Sequence, residues 1–591
     1  MSAILIVRDP DVGRRELGLR AAEAAMRRFD LAIGSGGRGP VAMRWGTFAG
    51  APVSQAPGAL VIGDLIPGPG AERLAAAEYA ARAAREATPP ACDGYYFAAT
   101  FDALGALTIA ADILGAFPVY YAGAGEALLV ASSPALIRYY PGVTSALDHA
   151  GLAALLITNG SVGGRTLYKG IRRLPAGVVL IATPGSPPRE RRHYAIELSG
   201  ASHDQPVQEC AARFHEALSD SARRHVPAGV PHTLLLSGGI DSRMIAGVLA
   251  RQGIPLRAVT RGLVSDLEYF CARAVAKQLR LPHQRIADRN ATFAEFERLL
   301  EWEGLACGPD TANVELDEAV PWEHPHFVSG HMADPILGGV TVGKAFDRGS
   351  RTTSFEHYLK VTNAWGVPLD ALPRLLRRDV FGDSVHLIIQ ELRQDFTCAA
   401  DHDLARSWLH TMGLKERFAI GGMLNRLAFR SWPRSPQVDR RLLAVAAGMP
   451  LALLDGRRLQ REMLIRFHPE LARLPLDHND PDVTPLLPGI YDLVRAGLDR
   501  RLRRLRGRLR LPNPERRYYF RTYDFEGAGW RALRQAAEPD RERALALFDR
   551  DAFEALVPRA GQRTPPVSRL EDASAAKLLL GVSVWLRVGL G

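Results

Sequence analysis

Leu234-Leu235-Leu236-Ser237-Gly238-Gly239-Ile240-Asp241-Ser242-Arg243-Met244 is the stretch on which the reading of this chain turns. An apolar strand runs straight into Ser-Gly-Gly and then into a helix, so backbone N–H groups and a helix N-terminus point at one spot, which suits an anion. Gly238 and Gly239 let the backbone approach phosphate oxygens with no Cβ in the way. Asp241 is the discriminating residue. A carboxylate beside phosphate repels it unless a divalent cation bridges the two, so its presence points to Mg2+ and pyrophosphate. No lysine follows the glycines, which excludes the lysine-bearing phosphate loop. A bare Gly-Gly has a competing reading, a tight strand-to-helix turn with Asp241 as a helix cap.

Outward from this loop the pattern alternates. His215 to Arg224 reads as helix, Thr233 to Leu236 as strand, Arg243 to Arg251 as helix, Leu256 to Thr260 as strand and Leu267 to Leu279 as helix. Successive strand–helix units imply an α/β fold with a parallel sheet covered on both faces. Helical periodicity dominates from about Gly343 to Ala447. Upstream, Tyr95 to Thr100, Leu107 to Ala111, Val119 to Tyr121, Leu128 to Ala131 and Val178 to Ile181 are short β-rich runs broken by Gly and Pro, which suggest a mostly β domain. The polar stretch Pro184 to Pro206 separates the two, giving domains at 1–205 and 206–591. Met1 to Val7 reads as a first strand, and Leu578 to Leu590, interrupted by Gly581 and Arg587, as a terminal packing helix too short for a membrane span. Ile33-Gly34-Ser35-Gly36-Gly37 lacks a βαβ setting and reads as a turn.

The 591 residues are 47% hydrophobic and 23% charged, a globular composition with no tract polar enough to stay unfolded. Cys92, Cys210, Cys271, Cys307 and Cys398 stand far apart, without a CxxC pair or zinc-ligand spacing, and read as buried reduced thiols in a cytoplasmic protein. The net charge of +10 comes almost wholly from arginine and favours acidic partners; neither a nucleic acid nor a membrane is expected among them.

The loop Ser237 to Ser242 resembles the pyrophosphatase loop, SGGxDS, of the asparagine synthetase B type enzymes. Val328-Ser329-Gly330-His331-Met332-Ala333-Asp334 with Leu337-Gly338-Gly339 resembles that family's second signature, SGxGxDE, and Arg434-Ser435-Pro436-Gln437-Val438-Asp439 resembles its RxPxxD segment. Asp112-Ile113-Leu114-Gly115, Pro118-Val119-Tyr120-Tyr121, Ala131-Ser132-Ser133 and Tyr168-Lys169-Gly170-Ile171 are similar to its amidotransferase half. The resemblance runs from about residue 95 to 480. It implies an N-terminal-nucleophile amidotransferase-like domain ahead of an ATP-pyrophosphatase domain, with ATP and Mg2+ as cofactors. It also implies nucleotide binding by Leu236, Ser237, Gly238, Gly239, Asp241, Ser242, Thr260, Gly262 and Gly330, and metal binding by Asp241 and Asp334.

The departures set the expected chemistry. Glutamine-dependent members begin Met-Cys and use that thiolate on glutamine; here Ser2 and Ala3 follow Met1, and the family's RD pair reads Ala111-Asp112. The N-terminal domain is therefore expected to be degenerate, and the amine to come from the substrate itself or from free ammonia. His331 stands where relatives place a Glu or Tyr associated with deprotonating the amine; an imidazole titrating near neutrality is chemically apt for a base, against the plain alternative of a loop histidine bonded to backbone. Pro335 replaces the usual Glu. The family's late lysine is missing, since none lies between Lys415 and Lys577, and its charge falls to an arginine or to His478 in Leu474 to Asp480.

The group that fits these departures is the lasso peptide cyclases, which resemble asparagine synthetase with a degenerate N-terminal domain and close a macrolactam between a peptide's α-amine and an Asp or Glu side chain. The resemblance implies a precursor peptide substrate, with a leader peptidase and a leader-binding protein of the same pathway as further partners. Two alternatives stay open: a β-lactam synthetase-like or other small-molecule amide synthetase, and a non-catalytic scaffold. Asp266 and Glu268, at the head of a helix, either contact substrate or favour the helix N-terminus. Arg495 to Arg510 either docks an acidic partner or forms a solvated helix face.

Overall fold

The computed structural model describes residues 2–68, 72–86, 89–198, 205–286, 293–308, 322–338, 353–401, 403–478, 481–509, 511, 516–517, 524–564 and 570–591. Gly339, Asn479 and Asp480 of the motifs above, and the stretch 343–352, lie outside the described residues.

The first twelve strands are β1 (Ala3–Arg8), β2 (Ala32–Arg38), β3 (Val41–Thr47), β4 (Val53–Ala56), β5 (Ala59–Gly63), β6 (Tyr96–Phe101), β7 (Leu107–Ala111), β8 (Tyr120–Ala124), β9 (Ala127–Ala131), β10 (Arg172–Arg173), β11 (Val178–Ala182) and β12 (Arg189–Arg192). They form two antiparallel six-stranded sheets, ordered β10-β8-β9-β1-β3-β2 and β12-β11-β7-β6-β5-β4. Side chains alternate across a strand, and the alternation sorts the layers. In β1, Ile4 and Ile6 enter the core between the sheets with Met43, Leu60, Ile62 and Phe97. Ala3, Leu5 and Val7 pack instead against Leu19 and Met26 of the helix Val12–Arg27. On the far sheet, Ala59 and Val61 of β5 turn toward Tyr79 of the helix Ala76–Arg85. The result is a helix–sheet–sheet–helix sandwich, more helical than the β-rich runs alone suggest.

Ile33 to Gly37 belongs to β2 and is not a turn. The glycines serve the strand: a Cβ on Gly34 would fall on the indole of Trp45 in β3, and one on Gly36 would stand 2.5 Å from Met43. The missing side chains make room for bulky cross-strand neighbours, a pairing no local pattern announces.

The second sheet system is parallel, in the order β15-β14-β13-β16-β17, from β13 (His232–Leu235), β14 (Leu256–Arg261), β15 (His283–Ile286), β16 (His326–Ser329) and β17 (Trp432–Arg434). The helices Val207–His225, Ile240–Arg251, Arg440–Ala447 and Arg458–Phe467 supply much of its core. β17 is a strand within the stretch read as helical. Beyond 353 the described residues are otherwise mainly helical.

The terminal helix Ser574–Val588 is buried along most of its length, and Trp585 sits 5.2 Å from the ring of Tyr168. It joins the same apolar cluster as Leu5, Leu152 and Phe553, so the two halves of the sequence share a core. No described helix is long and apolar enough to cross a membrane. All five cysteines are free; four are buried, but Cys398 is exposed, since its helix Ser384–Ala399 buries only Ile388, Leu392 and Phe396.

Candidate functional site

In an open parallel sheet, ligands bind beyond the carboxyl ends of the strands where the strand order reverses. Here β13 lies between β14 and β16, and successive connections run outward to opposite sides of it. The crevice therefore falls at the ends of β13 and β16. The loop after β13 carries Ser237 to Ser242, and the loop after β16 carries Gly330 to Asp334.

The two loops touch. A Cβ on Gly330 would stand 2.6 Å from the carbonyl carbon of Asp241 and 2.6 Å from the amide nitrogen of Ser242, so only glycine lets the second signature lie on the first. Gly238 has φ +78, and a Cβ there would meet the Ala272 nitrogen at 2.6 Å. It serves both the left-handed turn and the close approach of the helix Leu267–Gln278. Gly239 is the N-cap of the helix Ile240–Arg251, which places Asp241 in the first turn. The loop is braced by Ser242, whose hydroxyl lies 3.0 Å from that of Ser237 and donates to the Gly239 carbonyl at 3.2 Å.

Leu236 continues β13: its N–H donates to Val259 and its carbonyl accepts the Thr260 hydroxyl at 2.6 Å. Thr260 also meets His283, so its hydroxyl ties neighbouring strands together. Gly262 turns the chain at φ +126 over Asp266, whose carboxylate accepts from the Leu263 N–H. These positions stand at the end of β14, one strand from the two acids.

Asp241 and Asp334 converge on one cation, Arg457. Its guanidinium donates to Asp334 Oδ1 at 2.7 Å and lies 3.5 Å from Asp241 Oδ2. Gln460 donates to the other oxygen of Asp241. Burial pushes the Asp241 carboxyl above the usual carboxylate range; Arg457 opposes that shift and Asp334 adds to it. Burial works against the Arg457 charge, but Asp241, Asp334 and Asp477 together outweigh it and raise its pKa. Arg457 occupies a left-handed backbone position, φ 56, directly after Gly456 at φ 61. Nothing in the sequence singled it out, because Asp455-Gly456-Arg457 reads as an ordinary turn in a chain rich in arginine. His478, the alternative source of charge, is exposed and faces the Thr484 carbonyl.

Arg243, also unmarked by sequence reading, is fully buried. It donates to the carbonyls of Gly238, Leu471, Leu474 and Pro475, stapling the Ser237–Ser242 loop to the segment that ends at Asp477, itself paired with Gly239. Burial lowers its pKa to about 10.

His331 is placed beside Asp334, and its buried Nδ1 has no hydrogen-bond partner among the described residues. Burial lowers its pKa to about 4, so the expectation that it titrates near neutrality is corrected. Pro335 contributes its carbonyl, which accepts from the Trp408 indole at 3.0 Å. Arg434 pairs with Asp64, and Asp439 caps the helix Arg440–Ala447 while pairing with Arg224, so the RxPxxD segment is a bracket between the halves of the molecule.

Among the described residues no three His, Cys, Asp or Glu are grouped to hold a metal by themselves. Mg2+ is ordinarily held by one or two carboxylates, with phosphate oxygens and waters completing its shell. Asp241 and Asp334, gathered round one guanidinium, fit that pattern.

In the N-terminal sandwich, Ser2 is buried at the head of β1 with no partner for its hydroxyl among the described residues. Asp112 spends its oxygens on the N–H groups of Leu114, Ala116 and Phe117, and burial raises its carboxyl to about 6.

Known proteins share both halves. Residues 213–412 match the family model described as asparagine synthase, and 79–194 that of the glutamine amidotransferase domain. Asparagine synthetase [glutamine-hydrolyzing] 3 of Bacillus subtilis is 26% identical over 190 residues, 31% of this chain and 30% of the relative. The carboxyethyl-arginine beta-lactam-synthase of Streptomyces clavuligerus is 28% identical over 177 residues, 29% of this chain and 34% of the relative. Amidase chyE of Penicillium rubens is 30% identical over 114 residues, 18% of this chain and 17% of the relative. The chain thus matches between 17 and 34% of the length of these relatives. Two signature loops meeting at a parallel-sheet switch point, behind an amidotransferase-type sandwich, place the chain in the asparagine synthetase-like family.

Proposed function

We propose that the chain is an ATP-dependent, AMP-forming amide synthetase, and within that class a macrolactam-forming cyclase of a ribosomal precursor peptide. The observation that carries the first part is the meeting of Asp241 and Asp334 at the ends of β13 and β16, over a glycine-lined loop without lysine. Those two residues would hold Mg2+, which supplies charge neutralisation for the departing pyrophosphate. The loop N–H groups and helix N-terminus orient the nucleotide phosphates. A substrate carboxylate oxygen attacks the α-phosphorus, pyrophosphate leaves, and the amine then attacks the acyl carbon and expels AMP. Arg457 offsets negative charge where the phosphates gather. His331 is the candidate to accept the proton the amine gives up, on its position beside Asp334; its lowered pKa counts against its strength as a base.

The buried Ser2 and the turn-bound Asp112 support an amine drawn from the substrate rather than from glutamine. The similarity to a β-lactam-forming relative supports a second reading, ring closure in a small β-amino acid. Single-turnover incubation with a short acidic peptide or a β-amino acid, followed by chromatography, tests both. AMP with a peptide dehydrated by one water is the expected product; ADP overturns the class, and turnover of the small acid alone overturns the peptide.

A further inference from the structure

The helix Ile490–Arg508 turns its apolar side outward. Of its residues only Ala496 is buried. Leu498, Leu502, Leu505 and the capping Leu509 are 53, 57, 51 and 60% exposed. At 3.6 residues per turn the four leucines fall within about 60° of arc, and Ala496 stands about 150° from its centre. The side that packs on the body is polar: Arg500 pairs with Asp482 at 3.7 Å. Arg495, about 50° from the centre of the ridge and so beside it rather than opposite, has its guanidinium 5.7 Å from the ring of Phe270, on the helix Leu267–Gln278.

The leucine spacing of four, three and four is that of a heptad seam, with Leu502 and Leu509 at a and Leu498 and Leu505 at d. Arg501 and Arg508 then occupy g positions, Asp499 and Arg506 e positions, and Arg495 the preceding a position, where the apolar seam begins. The e and g positions set partner choice in a two-stranded coil.

We propose that this ridge docks an amphipathic helix of a partner protein, one with an apolar seam flanked by Asp or Glu. A second copy of this chain is the wrong partner. In a parallel pair Arg501 would face Arg506; in an antiparallel pair arginines would again meet across g positions, relieved only where Asp499 faces Arg506 across e positions, whereas an acidic partner opposes all three arginines. The lipid surface is a poorer fit as well. Arg495 interrupts the seam, Arg501 and Arg508 crowd its edge, and Tyr491 is the one aromatic the helix could seat among headgroups. Soluble proteins seldom leave such a continuous apolar strip uncovered. The inference is independent of the reaction proposed above.

The test uses the full chain and a synthetic three-heptad peptide with Leu at a and d and Glu at e and g, labelled for fluorescence anisotropy. A second peptide carries Lys in place of Glu, and phosphatidylglycerol vesicles are run beside both. The expected result is binding of the Glu peptide at least about tenfold tighter than the Lys peptide, falling about tenfold in L498D/L505D. R501E/R506E/R508E should reverse the preference. Because all these side chains are exposed, the melting temperature should hold in every variant. Failure of the Glu peptide to bind, equal binding of both peptides, or Glu-peptide binding unchanged in L498D/L505D overturns the proposal. So does leucine-dependent binding to vesicles without peptide binding, or a dimer of the chain that L498D/L505D dissolves.

Discussion

Arg457 donates to the carboxylate of Asp334 at 2.7 Å across 123 residues of chain. The same guanidinium stands 3.5 Å from Asp241, so the two acids that the sequence marks are held together by a cation it does not mark. Replacing Arg457 by Ala leaves two carboxylates facing each other and removes a charge from the phosphate site. Pyrophosphate exchange is expected to fall about 100-fold, roughly 2.7 kcal/mol of barrier. Arg457→Lys keeps the charge but loses the forked reach, and should fall between. Exchange at wild-type rate in Arg457→Ala would show that the arginine only props the helix Arg458–Phe467.

Asp241→Asn and Asp334→Asn keep shape but remove a charge each. Both should lower exchange by about two orders of magnitude while leaving the melting temperature nearly unchanged. If raising Mg2+ from micromolar to tens of millimolar left both variants where they were, and wild type showed no Mg2+ dependence, the metal assignment would fail.

His331→Ala separates the half-reactions. A proton acceptor for the amine is needed only after the carboxylate is activated, so pyrophosphate exchange should survive while amide formation drops at least about 100-fold. Loss of exchange in this variant would instead give the ring a part in activation.

Gly330→Ala places a methyl group against the Asp241–Ser242 peptide, at a hypothetical separation of 2.6 Å. Overpacking of this kind costs about 1–3 kcal/mol. Because the clash drives the two loops apart, exchange should suffer more than global stability. Calorimetry and exchange measured together check this, and a fully active alanine variant would mean that the loops separate in the working enzyme.

Acid should destabilise the fold in a defined window. Burial holds His468 to about 3 and His410 to about 4, below the ordinary histidine value of about 6.5. Between those values the unfolded chain binds protons that the folded chain does not, so stability rises with pH through the window and is complete above about pH 6.5. Each histidine contributes at most about 1.4 kcal/mol per pH unit there. Melting temperatures from pH 4.5 to 7 should fall on the acid side, with a shallower slope in His468→Gln; an unchanged slope would locate the acid sensitivity elsewhere.

The strand–turn–helix run from Leu234 to Met244 was legible in the sequence, because a passage from apolar strand through Ser-Gly-Gly to helix is a local pattern. The same holds for the strand–helix alternation from His215 to Leu279 and for the terminal helix, whose periodicities are contained within each segment. Gly34 and Gly36 misled for the complementary reason: they are small to admit Trp45 and Met43, residues on the next strand.

What the sequence by itself determined was the class of the fold and the identity of Asp241 and Asp334 as candidates. What only the tertiary structure decided was their company. Arg457, Gln460 and Arg243 reach the site through contacts that span up to 232 residues of chain, and such contacts leave no spacing to read. The ionisation of His331 also belongs to the tertiary structure, because its solution value depends on residue type and its folded value on burial. The helix Ile490–Arg508 makes the same point from the outside. Its composition fixes an amphipathic helix, but which side meets the protein is a property of the surface beneath it, and that surface takes Ala496 and leaves the leucines to solvent.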